Sequence, residues 1–308
     1  MPSPQVSVIM NCLNCARYLP AAIESVCAQT YRDWEIVFWD NASTDDSAAI
    51  ARGYGEQVRY FRGDTTVPLG NARNLALAQA RGELIAFLDC DDLWLPGKLA
   101  RQVALLAARP QVDFVYGNFF LLYEESGART VARPERLPEG DIFESFLNKY
   151  QAGLLSVIVR KSALDRLDSW FDDSFNLVEE YDLFMRVLYR SQAAYVPEPL
   201  AVCRIHEHNT STTERHRWVD ENARVLVKLR ALDTDNRYHR AFDETAVRLD
   251  LLAASIALWQ GKPREARARV LRHWSHSLKS FALLLLSFVP ARVFLALRFF
   301  WRRGLLYR

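Results

Sequence analysis

The sequence predicts an α/β fold: a twisted, mostly parallel sheet flanked by helices, followed by a helical C-terminal region. Three observations carry this. Short apolar runs alternate with amphipathic stretches over the first 117 residues. The runs are apolar at successive positions, the pattern of strands covered on both faces of a parallel sheet. Beyond His206 the chain reads almost wholly helical.

The elements follow in order. Val6 to Met10 is short, apolar and β-branched, a buried strand by pattern. Ala16 to Gln29 carries Leu19, Ile23, Val26 and Cys27 at helical spacing. Glu35 to Trp39 is a second strand, ending at Asp40. Ser43-Thr44-Asp45-Asp46 then offers capping oxygens for a helix start. Val58 to Phe61 is a third strand, Leu69 to Ala80 a helix, and Leu84 to Leu88 a fourth strand. Pro96 is expected to open another helix at a favoured first-turn position, and Val112 to Tyr116 is a fifth strand. After about residue 117 the rhythm breaks. Phe119–Tyr123 and Arg129–Arg133 are spaced as a hairpin around Glu125-Ser126-Gly127. Ser156 to Val159 reads as a strand, and Glu179 to Tyr189 as a helix with Leu183, Phe184, Val187 and Leu188 on its apolar side.

Length and composition fit one large or two modest domains. Half of the 308 residues are apolar, enough for a sizeable core, and the net charge of +2 argues against nucleic acid as a partner. Five scattered cysteines read as reduced thiols of a cytosolic compartment. Cys12 and Cys15 form a C-x-x-C, yet no second pair stands near enough in sequence to suggest zinc. Met1 to Gln5 has neither a basic n-region nor a long apolar h-region, so no secretory signal is expected.

The chemistry concentrates in acids. In "FLDCDDLWLPGKL" an apolar strand ends in Asp89, Asp91 and Asp92. Carboxylates that close repel one another and are costly to desolvate. Water must solvate them or a cation must sit among them. Hard cations such as Mg²⁺ or Mn²⁺ take one or two protein carboxylates and complete their shell with water and substrate phosphates. The plainer alternative is a solvated acidic turn. Ligands of parallel α/β sheets sit beyond the carboxyl ends of the strands, and Asp40 and Asp89 both lie there.

Several ordered stretches resemble a known family. "VSVIMNCLNCARYLPAAIESVCAQTYRDWEIVFWDNASTDDS", "GNARNLALAQARGELIAFLDCDDLWLPGKL", "VEEYDLFMRVLYR" and "YVPEPLAVCRIHEHNTS" resemble, in order, stretches of the family 2 glycosyltransferases with the Rossmann-like GT-A fold. The resemblance covers about two thirds of the chain. It implies an inverting, metal-dependent transfer of a sugar from a nucleoside-diphosphate donor, UDP or dTDP favoured, to an acceptor hydroxyl. A glycan or lipid-linked glycan of cell-surface polysaccharide or lipopolysaccharide assembly is the implied acceptor. Asp40 is then expected to recognise the base, with Asn14 in the loop beneath it. Arg73 stands near the nucleotide, Asp89 on the ribose or metal side, and Asp91 as principal ligand of Mn²⁺ or Mg²⁺. Asp92 is a supporting residue that caps the next helix. Glu180 takes the place of the catalytic base, with Asp182 as the second candidate, and His206 is expected to reach the metal or diphosphate. Three acids near one helix start are equally explained by the macrodipole. His206 and His208 with Asn209, Thr210 and Ser211 are equally a polar loop leaving the domain.

Three positions depart from the family pattern. Asn11 stands for the usual Pro, Asp40-Asn41-Ala42-Ser43 for Asp-Asp-Gly-Ser, and Glu180 for Asp. These changes keep open a degenerate nucleotide-sugar-binding module. A nucleotidyltransferase would want a Gly-rich basic loop, which "NCLNCAR" does not supply. The expected organisation is a transferase domain over 1–212, with its nucleotide-sugar half at about 1–117 and its acceptor half at about 118–212, and a helical region over 213–308. From Lys262 onward eleven basic residues face one acid, Glu265. "FALLLLSFVPARVFLALRFFWRRGLLYR" is broken by Pro290 and Arg292, so its apolar core is too short to span a bilayer. It suits a helix lying in the membrane interface, which implies a peripheral protein at the inner face of the cytoplasmic membrane. The alternative is a C-terminal helix packed on protein.

Overall fold

The computed structural model describes residues 3–207, 209, 217–274 and 277–289. The chain divides into two compact units, 1–215 and 216–308.

In the first unit β1 (Val6–Cys12) lies inside a parallel set, paired with β2 (Trp34–Asp40) on one side and β4 (Leu84–Phe87) on the other, while β2 pairs with β3 (Val58–Arg62). Their apolar runs are buried because helices α1 (Leu19–Cys27), α2 (Ser47–Gly53) and α3 (Leu69–Leu77) connect them. Four parallel strands put Cys12, Asp40, Arg62 and the acids beyond Phe87 on one carboxyl rim. Gly82 allows the approach of β4 to β1: a Cβ there would stand 2.6 Å from the Ser7 nitrogen.

The remaining strands are β5 (Leu93–Trp94), β6 (Val112–Tyr123), β7 (Arg129–Val131), β8 (Ile158–Arg160) and β9 (Gln192–Ile205). Among the described residues the nine strands form one sheet in the order β3-β2-β1-β4-β8-β6-β9-β5, with β7 on β6. The sheet is mixed. β8 runs antiparallel to β4 and β6, β7 forms the expected hairpin with β6, and β6 runs parallel to β9. β9 is antiparallel to β5, pairing Val202 with Leu93, and so returns its end to the D-x-D segment.

Helices α4 (Lys98–Ala108), α5 (Phe143–Asn148), α6 (Lys161–Asp165) and α7 (Glu179–Leu188) complete the unit. α7 is set by aromatic packing: Phe184 meets Phe87 and Phe114 edge-on, at centroid distances of 5.8 and 5.2 Å. Each such side chain contributes about 1.5–3 kcal/mol when fully buried.

Three expectations need correction. Pro96 does not open α4, which starts at Lys98. The Leu95 N–H is held by the Leu200 carbonyl, and the Pro96 carbonyl accepts from the Thr30 amide and hydroxyl, so these residues serve a turn. Asp92 does not cap α4: its Oδ1 accepts the Arg204 N–H from β9 at 2.9 Å. Leu154–Ser156 is a single 3₁₀ turn, and the strand begins at Ile158.

The second unit contains α8 (Trp218–Arg230), α9 (His239–Trp259), α10 (Pro263–Val270) and α11 (Leu278–Leu286). Leu251, Ala254, Leu258, Ala266, Val270 and Leu283 form its core. Among the described residues no helix is long and apolar enough to cross a membrane. Residues 290–308 of the basic tail, together with His208, Thr210 and Ser211, lie outside the described residues.

Candidate functional site

The rim begins with Asp40 at the end of β2. Its side chain is fully buried. Oδ1 accepts the Ser43 N–H at 2.7 Å, and Oδ2 accepts from the Tyr60 hydroxyl at 2.6 Å and the Arg62 guanidinium at 2.7 Å. Burial alone would push this carboxyl up. The hydrogen bonds from Tyr60 and Ser43 and the charge of Arg62 outweigh it and hold the carboxyl below its ordinary value. Asp40 thus shapes the 41–44 loop, and both its oxygens are engaged by protein. Asn41 continues this work, bridging to the Val67 carbonyl and N–H. Asn14 lies opposite, exposed and left-handed at φ 56°, its Oδ1 accepting the Thr44 N–H at 2.8 Å. The left-handed region suits Asn better than most residues.

The D-x-D follows β4. Asp89 and Asp91 keep 39% and 26% of their side chains exposed. Burial and the neighbouring charge of Asp89 raise the Asp91 carboxyl, while His206 pulls it back. His206 Nε2 lies 3.1 Å from Asp91 Oδ2, and the Asn209 amide donates to the same oxygen at 3.3 Å. The His206 ring stacks on Tyr18 at 5.0 Å between centroids, and the Tyr18 hydroxyl donates to Glu124. The return of β9 therefore delivers His206 to Asp91. Arg204 donates to the Asp91 carbonyl and holds the backbone of this turn.

α3 and α7 complete the rim. Arg73 is buried, and its guanidinium donates to Asp89 at 2.9 Å and to Glu179 at 2.5 Å. Burial would strip its proton, but the carboxylates of Asp89, Glu179 and Glu180 hold the charge firmly in place. Arg73 thus ties the D-x-D to the first turn of α7 rather than lying open to a ligand. Asn74 fixes the approach to that turn through both its amide atoms and the Phe171 backbone. Glu180, beside Glu179, is partly buried. Its carboxyl is pushed up to about 8 by burial, with Arg73 opposing and Glu179 and Asp89 adding to the rise. Asp182 points elsewhere. It is fully buried, and its Oδ2 accepts two hydrogen bonds from Arg186, at 3.0 and 2.7 Å. Arg186 in turn donates to the Ser169 and Trp170 carbonyls. This ion pair anchors α7 on the preceding loop.

Hydrogen bonds thus join Arg73 to Asp89 and Glu179, and His206 to Asp91; charge effects couple Glu180 to Arg73 and Asp91 to Asp89, and Asp182 belongs to a separate pair. Three acids, Asp89, Glu179 and Glu180, share the charge of Arg73, while the Asp91 carboxylate meets His206 and the Asn209 amide. That surplus of hard oxygen ligands fits a divalent cation at Asp89 and Asp91. Sequence reasoning gave no role to Tyr60, Arg62, Tyr18 and Arg204, and read Glu179 only as one of three acids at a helix start. It also missed that Cys90 joins Cys12 and Cys15, the three sulfurs lying within 4.8 Å of one another. Hydrogen bonds from Cys15 and Cys90 pull the Cys12 thiol down, and the same contact with Cys12 pushes Cys15 up.

Residues 7–166 match the family model described as glycosyl transferase family 2. The UDP-Glc:alpha-D-GlcNAc-diphosphoundecaprenol beta-1,3-glucosyltransferase WfgD of Escherichia coli is 28% identical over 184 residues, 59% of this chain and 69% of that protein. S. aureus TarS 1–349 superposes with a TM-score of 0.68 at 17% identity, over 99% of this chain and 93% of that one. TarS has also been crystallised with UDP-GlcNAc. The mannosyltransferase PcManGT of Pyrobaculum calidifontis, solved with GDP-Man and Mn²⁺, superposes with a TM-score of 0.59 at 20% identity, over 99% of this chain and 89% of that one. These likenesses give the fold as GT-A. With the family model spanning just over half of its residues, the chain belongs to glycosyl transferase family 2.

Proposed function

We propose that this glycosyltransferase moves a sugar from a UDP- or dTDP-linked donor onto the hydroxyl of a glycan or lipid-linked glycan, with inversion. The observation that carries the proposal is that Arg73 ties Asp89 of the D-x-D to Glu179 in the first turn of α7, with Asp91 and His206 beside it. Glu180 takes the proton of the acceptor hydroxyl as its oxygen attacks the anomeric carbon, and the nucleoside diphosphate leaves from the opposite face. A single displacement needs no covalent nucleophile. Asp89 and Asp91, with His206 beside them, would hold Mn²⁺ or Mg²⁺, whose charge stabilises the diphosphate leaving group. Arg73 keeps Asp89 and Glu179 in register. Asp40 and Asn14 shape the loops that face the nucleotide; for Asp40 to touch a base, the groups that bury its side chain would first have to move. The names of WfgD and TarS support a UDP-linked donor, and that of WfgD a lipid-linked acceptor. Such an acceptor lies in the membrane, and the basic C-terminal region would hold the enzyme against the inner face of the cytoplasmic membrane.

The test is a panel of UDP-, dTDP- and GDP-sugars with Mn²⁺ and a membrane lipid extract, following release of the nucleoside diphosphate. Turnover of one donor is expected, abolished by chelator and by Asp91→Ala and reduced by Glu180→Gln. A donor that binds with metal but is never consumed with any acceptor extract would instead favour a nucleotide-sugar-binding module.

A further inference from the structure

We propose that Cys12, Cys15 and Cys90 form a binding site for a thiophilic cation of the Zn²⁺ type, separate from the carboxylate site. The sheet register brings the ligands together. β1 and β4 pair Ile9 with Phe87. Cys12 and Cys90 each lie the same distance beyond that pair, so the two strands release them side by side. The turn through Asn14, with its positive φ, brings Cys15 back to them. All three sulfurs then lie within 4.8 Å of one another.

Little movement is needed to bind. A tetrahedral site with Zn–S bonds of about 2.3 Å places its sulfurs ~3.8 Å apart, so the sulfurs must close by about 1 Å at most. Cys12 and Cys90 are buried, while Cys15 is partly exposed and provides an entry. The present contacts of these thiols are weak. Cys90 donates to the Asn11 carbonyl at 3.2 Å and Cys15 to the Leu13 carbonyl at 3.6 Å, while the Ser43 hydroxyl donates to Cys12 at 3.8 Å. On binding, each cysteine still protonated releases its S–H proton to solvent as its metal–sulfur bond forms, and three metal–sulfur bonds result. A fourth position remains for water or the Ser43 oxygen. Soft thiolates select such a cation over the Mg²⁺ or Mn²⁺ suited to Asp89 and Asp91. Buried thiols also pack as small apolar groups, but packing alone predicts no cation uptake. A cation here would tie the Asn14 loop to the D-x-D, because Cys90 lies between Asp89 and Asp91.

The test uses the reduced full chain, freed of metal and kept in excess Mg²⁺. Titration with Co²⁺ is expected to raise a thiolate-to-cobalt charge-transfer band that saturates at one ion per chain and is displaced by Zn²⁺. Cys90→Ala should abolish the band. Cys15→Ser, at a partly exposed position, should keep the fold and weaken Co²⁺ binding at least tenfold. Asp91→Asn should leave the band intact. Circular dichroism checks the fold of each variant. No band in the wild type, a band unchanged in folded Cys15→Ser, or one lost in Asp91→Asn would overturn the proposal.

Discussion

Glu180 is the residue on which the proposed chemistry turns, and its environment dictates a pH dependence. Burial, reinforced by Glu179 and Asp89, puts its carboxyl at about 8, against an ordinary value of 4.5. A base works only when deprotonated, so kcat/KM, which reports the free enzyme, should rise with pH and level off above about 8. Glu180→Gln should remove that limb and lower kcat by about 10²–10⁴-fold, the usual contribution of a positioned base. A limb that survives in the Gln variant would move the role to another group. The same shift bears on stability. Between 4.5 and about 8 the folded state holds a proton that the unfolded state has released. The contribution of Glu180 is therefore present at low pH and lost as pH rises through that window. Asp182, two residues on, illustrates how neighbours on one helix diverge. The helix turns it away from the rim and into the Arg186 pair, where removing one partner would leave a buried charge uncompensated.

Among the elements, the loop after β2 carries the clearest strain. Ala42 sits at φ 64°, where the family pattern has glycine. A left-handed Ala costs about 1–2 kcal/mol, and part of that is offset because glycine loses more entropy on folding. Ala42→Gly should therefore raise the unfolding free energy by about 0.5–1 kcal/mol in urea titrations; an unchanged or lower midpoint would mean that the Ala methyl makes compensating contacts. The same loop shows where sequence reading reaches its limit. The strands β1 to β4 and the helix α7 were legible because each has a local signal, an apolar run or an amphipathic period. The D-x-D and the acidic start of α7 were legible for the same reason. What joins them was not. Arg73 meets Glu179 across 106 residues, and His206 meets Asp91 across 115. Such pairs are created by the sheet order, which no short window encodes. The companion of the C-x-x-C was hidden for this reason too: the third sulfur lies 75 residues beyond Cys15, brought back by the pairing of β1 with β4. Pro96 misled differently, because hydrogen bonds to Thr30 and β9 outweigh its preference for a first helical turn.

At the scale of the whole molecule, charge and apolar surface are segregated. The near-neutral total conceals a C-terminal stretch with eleven basic residues and one acid beyond residue 261. Within it, α11 sends Leu283 into the core while Leu278, Phe281, Leu285 and Phe288 are 89%, 47%, 56% and 60% exposed. These four recur at intervals of three or four residues and share one face. An apolar stripe within a basic stretch of sequence suits the interface of an anionic bilayer, where each apolar side chain is worth about 1.5–3 kcal/mol if fully buried and each basic residue about 1 kcal/mol. The full chain should therefore co-sediment with phosphatidylglycerol vesicles, bind less well as salt rises, and bind phosphatidylcholine vesicles weakly. The double substitution Leu278→Asp and Leu285→Asp acts at exposed positions, so the core should persist while vesicle binding falls at least tenfold. Should the wild type stay in the supernatant with anionic vesicles, and the double variant change its oligomeric state, the stripe would be a protein contact. The enzyme would then have to reach the proposed lipid-linked acceptor without holding the membrane through this helix.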